Sequence, residues 1–146
     1  MDFRGLVSGI IMGMTIAVSP YLNSKADLDI LYRIVEAEAT ECDYEQKKNV
    51  TYCILARVDD SGFPDSIEGV VFDKGQFSPI SDKRYYSVEI TEETKKAVNE
   101  ALWSASEGHK CLYFCTDCKS YRNGFHSKLE EEFFDGVHHY FTGRRK

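Results

Sequence analysis

The sequence predicts a helix-dominated α+β single domain with a few short antiparallel strands in its second half. Three observations carry that prediction. Apolar residues recur at helical spacing in three stretches: Leu28, Leu31, Ile34, Val35 and Ala39; Val50, Cys53, Ile54 and Val58; and Ala97, Ala101 and Leu102. Two β-prone runs, 111–115 and 137–141, follow the last of these stripes. With 146 residues, 42% hydrophobic and 29% charged, the chain is long enough and apolar enough for one core. It carries no internal repeat and no low-complexity linker.

The first 26 residues read as a targeting segment. Arg4 and the terminal amine make a weakly positive start, and residues 6–18 form an uncharged run of h-region length. Pro20 breaks any helix, and Ser24-Lys25-Ala26 puts small residues where a signal peptidase reads, with cleavage after Ala26. The alternative is an uncleaved membrane anchor through residues 6–18. Either way the chain is expected to be secreted or held in the cell envelope, with the folded domain over 27–146.

A first helix is expected over 26–41, with Asp27 supporting its first turn. Asp43 caps a second helix over 44–58, with Gln46 completing a capping box. In that helix Gln46, Lys47, Lys48 and Asn49 face outward. Asp59-Asp60-Ser61-Gly62 is a turn signal, and a short third helix covers 65–72. Pro79 makes 76–80 extended or loop-like. Residues 82–86 are expected at the surface. Thr91 and Thr94, with Glu92 and Glu93, start a helix that runs to about residue 104. After the first β-prone run comes a turn-rich connection over 116–124, then a short helical piece over 128–134.

One residue in the first helix is out of place. At roughly 100° per residue, Glu38 lies about 20° from Leu31 and about 40° from Ile34, inside the apolar stripe. Glu36 lies about 140° from Leu31, so it reads as an ordinary surface glutamate. A desolvated carboxylic acid keeps its proton to higher pH and can serve as a general acid. The alternative is that the helix frays by residue 38 and the side chain reaches water.

Charge excludes one class of function. A formal charge of −6 leaves no basic face for nucleic acid, and Arg144-Arg145-Lys146 reads as a solvated tail. Aromatic residues, at 13%, suit a core or a groove for sugars.

Several short motifs then fall in one order. Ile34-Val35-Glu36-Ala37-Glu38-Ala39, Tyr44-Glu45 and Leu55-Ala56-Arg57-Val58 are followed by Phe63-Pro64-Asp65-Ser66-Ile67 and Gly75-Gln76-Phe77-Ser78. Leu112-Tyr113-Phe114 and His139-Tyr140-Phe141 complete the series. Together they resemble the cell wall hydrolase family of the SleB/CwlJ spore cortex-lytic type. The resemblance implies a lysozyme-like fold, peptidoglycan glycan strands as substrate, no cofactor or metal, and a single catalytic glutamate that falls on Glu38. It implies cleavage between N-acetylmuramic acid and N-acetylglucosamine, with the same carboxylate closing a 1,6-anhydro ring in a lytic transglycosylase. It also implies substrate-binding roles for Gln76, Phe77, Ser78, Tyr113 and His139. Phe77 reads more as core than as wall, Tyr113 equally as either, and His139 equally as a satisfied core histidine. The chain departs from the family pattern at Thr40-Glu41-Cys42, where a glycine and a second glutamate are usual. Glu41, Asp43 or Glu45 remain candidates for a second acid in a hydrolytic variant.

Five cysteines leave alternatives open. Cys111, Cys115 and Cys118 with His126 could hold zinc, one or two disulfides could form after export, or all five could stay reduced. A Cys42–His139 pair would suit a peptidoglycan amidase or peptidase, although Cys42 follows a helix end, where the dipole raises a thiol pKa. A binding protein that keeps the fold without turnover is the remaining alternative.

Overall fold

The computed structural model describes residues 7–11 and 14–146, with side chains from Ser19 onward. The expected leader over 1–26 thus lies partly outside the described residues. Within it, the backbones of β1 (Val7–Ile11) and β2 (Met14–Val18) pair antiparallel.

α1 (Lys25–Glu38) starts where Asp27 Oδ2 accepts from the Asn23 and Ser24 amides at 2.7 and 3.1 Å. Tyr21 and Leu22 pack on the main core, and the Tyr21 hydroxyl donates to Asp59 at 2.6 Å. The helix and its cap therefore straddle the boundary expected between residues 26 and 27. α1 ends at Glu38, three residues short of its expected end at 41. The Ala39 amide still bonds back to Val35, and the Thr40 hydroxyl donates to the Glu36 carbonyl at 2.6 Å. Such a back-bond satisfies a carbonyl that the ending helix would leave open.

α2 (Tyr44–Asp59) opens with the expected capping box between Asp43 and Gln46. Short helices α3 (Ile67–Val71), α4 (Ser78–Ser81) and α5 (Arg84–Ser87) follow, then α6 (Glu92–Trp103) with Thr91 as its cap. α1 lies at the centre of this group and touches α2, α3, α4, α5 and α6. Leu31, Ile34, Val35, Val50, Ile54, Ile67, Val71 and Val98 are fully buried in the shared core. No helix among the described residues is long and apolar enough to cross a membrane.

The sheet comprises β3 (Tyr113–Cys115), β4 (Leu129–Phe134) and β5 (His139–Arg145), in the antiparallel order β3-β5-β4. α7 (Lys119–Asn123) lies between β3 and β4. The β4–β5 turn needs Gly136, whose φ is +100°. Asp135 closes that turn, accepting from the Val137 and His138 amides at 3.0 and 2.8 Å. Gln46 and Asn49 on α2 donate to Asp135 at 3.0 and 3.3 Å and anchor the turn.

Four expectations are corrected. Of the helical piece expected over 128–134, residues 129–134 form strand β4 instead, because pairing with β5 outweighs the helix preference of Glu130-Glu131-Glu132. Residues 78–81 are helical, since a proline within the first turn costs no intrahelical bond. Tyr85, expected at the surface, is 5% exposed between Phe72 and Tyr86. Lys47, expected to face outward, is 3% exposed and pairs with Glu36 and Glu93 at 3.6 and 3.5 Å.

Candidate functional site

The C-terminus of α1 delivers Glu38 to a groove of about 610 Å³ between the helices and the sheet. The helical stripe explains the placement. Leu31, Ile34 and Val35 fix the rotation of α1 in the core, so the next position on that side must leave the core where the helix leaves it. Glu38 is half-buried there. Burial pushes its carboxyl up from 4.5 to about 7, against the opposing pull of Arg84 and then Arg57, with Asp82 adding to the rise. Among the described residues lining the groove, Glu38 is the only carboxylate. None of Glu41, Asp43 and Glu45 is among them.

Two arginines frame the acid. Arg57 on α2 is 4% exposed, donates to the Leu112 carbonyl at 2.6 Å and reaches Gln76 at 3.4 Å. Its guanidinium packs over the rings of Phe63, Phe77 and Tyr113 at 5.1, 5.1 and 5.4 Å. Arg84 on α5 donates to the Ala37 carbonyl at 3.0 Å, to Ser78 at 3.2 Å and to Asp82 at 2.9 Å. Arg84 thus ties the end of α1 to the rim of the groove.

Gln76 and Ser78 are exposed and line the groove. Phe77 joins them but is 3% exposed, so it forms floor more than wall, beside Phe114 at 6.4 Å. Tyr113 is not among the lining residues. It packs against Phe63, Phe125 and His126. His139 is also elsewhere. Its Nδ1 lies 2.7 Å from Glu131, and its ring stacks between Tyr121 and Phe134 at 3.8 and 4.3 Å.

The neighbouring His138 is the histidine that reaches the groove. It is 2% exposed, and among the described residues its Nδ1 has no hydrogen-bond partner. Burial lowers its pKa, against an opposing pull from Asp135. His126 also lines the groove, held by Ser120 at 2.6 Å and lowered in pKa by burial and then Arg57. Sequence reasoning missed Arg57, Arg84 and His138 as site residues and named His126 only as a zinc candidate. The His138-His139 pair carried a usable signal. Adjacent strand residues face opposite ways, so only one of the two could face the groove.

Glu36 corrects another expectation. It is 2% exposed and accepts from the Thr91 amide at 2.8 Å and the Thr94 hydroxyl at 3.1 Å. The face opposite the apolar stripe is covered by α6, not by water. The cysteines separate as well. Cys42 packs in the main core, its thiol pushed up to about 11 by burial and then by Asp135 and Asp43. No described contact joins it to His139, so the cysteine–histidine pairing does not assemble. Cys111 packs with Cys53 and Tyr140 in a second small core, while Cys115 and Cys118 line the groove. Among the described residues, no three His, Cys, Asp or Glu side chains converge on a metal position.

The cell wall hydrolase family model matches residues 42–142. The chain belongs to the cell wall hydrolase family. That match begins just past Glu38. The spore cortex-lytic enzyme of Oceanobacillus iheyensis is 31% identical over 96 residues, 64% of this chain and 34% of that protein. The spore cortex-lytic enzyme of Bacillus subtilis is 31% identical over 93 residues, 62% of this chain and 30% of that one. The chain therefore spans about a third of the length of the curated relatives it matches. In fold it is similar to the catalytic domain of the germination-specific lytic transglycosylase SleB from Bacillus anthracis. That likeness has a TM-score of 0.70 and 24% identity, covering 81% of this chain and 95% of that domain. The Bacillus cereus SleB catalytic domain gives 0.68 at 24% identity, over 81% and 91%. The expected lysozyme-like α+β architecture agrees with these neighbours.

Proposed function

We propose that this cell wall hydrolase degrades peptidoglycan by cleaving the N-acetylmuramic acid–N-acetylglucosamine bond as a lytic transglycosylase, with Glu38 as its acid and base. The observation that carries the reading is a lone groove carboxyl whose pKa is raised to about 7. At neutral pH a substantial fraction of Glu38 is protonated and can donate to the glycosidic oxygen as that bond breaks. Charge then develops at the muramic C1. The newly formed Glu38 carboxylate takes the proton of the muramic C6 hydroxyl, and O6 bonds to C1. The leaving sugar keeps the first proton, the acid recovers the second, and a 1,6-anhydro end remains.

Glycosidases that activate water across the ring use a flanking pair of carboxyl groups. The groove lining supplies one, which favours the intramolecular attack. Arg84 and Arg57 stabilise the carboxylate formed midway, since both pull its pKa down. Gln76 and Ser78 offer hydrogen-bonding groups to N-acetyl and hydroxyl substituents, and Thr116 lies opposite on the sheet side. The names of the relatives agree with this chemistry. Action on the wall places the protein outside the cytoplasm, exported by its N-terminal segment or held at the membrane through residues 6–18. Fractionation of cells separates those two.

The test is product analysis. Purified protein and a Glu38→Gln variant are incubated with peptidoglycan, and the products are read by mass spectrometry. Wild type should release anhydro-muropeptides, and the variant should do so about 10²- to 10⁴-fold more slowly. Reducing-end products from wild type would indicate a hydrolase. Bound protein on intact glycan would indicate a wall-binding protein, and cleaved stem peptides an amidase or peptidase.

A further inference from the structure

The groove wall facing Glu38 carries a feature that glycan cleavage does not use. Cys115 ends β3, and Cys118, three residues later, is the N-cap residue of α7. Both are free, both are half-buried, and both line the groove. Burial and then the neighbouring Cys118 thiol push the Cys115 pKa up. The chain bends between them, at Asp117 and Cys118. Asp117 accepts from Arg122 at 2.9 and 3.4 Å, and Ser120 holds His126 at 2.6 Å. The other three cysteines, Cys42, Cys53 and Cys111, are buried. The pair that lines the groove is thus the pair that a dissolved oxidant can reach.

We propose that Cys115 and Cys118 form a thiol–disulfide couple that sets the conformation of the groove wall beside Thr116. The co-reactant is a small-molecule disulfide of the glutathione class. The Cys118 thiolate attacks one sulfur of that disulfide, forming a mixed disulfide and expelling one thiolate. Cys115 then loses its proton and attacks the Cys118 sulfur, expelling the second. Two protein thiols become one disulfide, and one small disulfide becomes two thiols. Cys115 is the fitting second partner, because burial pushes its thiol up to about 12 and makes it a poor opening nucleophile. Closing the four-residue loop removes backbone freedom from the segment that carries Thr116 into the groove. An extracytoplasmic setting supplies oxidising conditions. The link to turnover rests on the proposed glycan cleavage. The disulfide itself does not.

Mapping the thiols of the full chain tests the couple directly. Native protein is treated with dithiothreitol or with oxidised glutathione, acid-quenched, denatured, alkylated and digested with trypsin. Cleavage after Lys110 and Lys119 releases one peptide holding Cys111, Cys115 and Cys118. The reduced sample should carry an alkyl group on all three. The oxidised sample should carry one, on Cys111, with the fragmentation pattern locating the bridge at 115–118. In Cys118→Ser the internal bridge should be absent and Cys115 should be alkylated or capped by glutathione. Full alkylation after oxidation, or a bridge that includes Cys42, Cys53 or Cys111, would overturn the couple. Where the map is as expected, oxidation should change peptidoglycan turnover several-fold and dithiothreitol should restore it. Unchanged turnover in active protein would sink the effect on the groove and leave the bridge standing. Protein inactive in both states would instead count against the proposed cleavage.

Discussion

Two carboxylates on one helix, two residues apart, meet opposite surroundings. Glu36 faces α6, where a backbone amide, a hydroxyl and the ammonium of Lys47 converge on it. Glu38 faces the groove, where among the described residues no donor closes on its carboxylate and two arginines act only through their fields. Burial alone therefore does not mark a reactive acid. A buried carboxylate with its own donors fastens two helices together. A buried carboxylate without them is left poised to exchange a proton.

The largest expected effect that sharpens this contrast is the loss of turnover in Glu38→Gln, with folding retained. The mirror experiment is Glu36→Ala. It leaves the buried Lys47 with only the more exposed Glu93 and should cost about 3 kcal/mol of stability, read as a lower urea midpoint. If Glu36→Ala instead lost turnover at full stability, the roles would have to be exchanged.

The next effect is pH-dependent. The folded-state pKa of Glu38, about 7, lies above its unfolded value of 4.5. Between those values the folded protein holds the extra proton, so stability declines as pH rises through that window and levels off above about 7. The decline should be at most about 3 kcal/mol, and it should be absent from Glu38→Gln. Turnover should fall over the same upper limb as the acid ionises.

Smaller effects test the margins. A chain starting at residue 27 loses the Asn23 and Ser24 amides from Asp27 and the packing of Tyr21 and Leu22. It should melt lower, by an amount equivalent to about 1–2 kcal/mol. His139→Ala removes a partly exposed pair with Glu131 and two ring stacks. It should cost about 1 kcal/mol and leave turnover within a few-fold of wild type.

These contrasts also show what a one-dimensional pattern can hold. The apolar stripe located Glu38 because helical periodicity is local and α1 keeps its rotation in the core. The capping box at Asp43 was legible for the same reason: its bonds close within one turn. The wheel also placed Glu36 opposite Leu31, yet it could not show that α6 would cover that face. The run Glu130-Glu131-Glu132 reads as helix until β5 pairs with it. His138 and His139 face opposite ways in any strand, but which one enters the groove depends on the turn at Asp135 and Gly136 and its anchoring by Gln46 and Asn49.

The sequence by itself determined α1, α2, α3 and α6, the strands β3 and β5, the family motifs and the one glutamate that interrupts an apolar stripe. All of these rest on spacing along the chain. Only the tertiary structure decided that Glu36 is a fastening, that Arg57 and Arg84 flank the acid, and that His138 rather than His139 faces it. It also brought Cys115 and Cys118 onto the wall opposite. Those assignments depend on distances between segments far apart in sequence, and such distances are set by how the helices and the sheet pack, not by any local pattern.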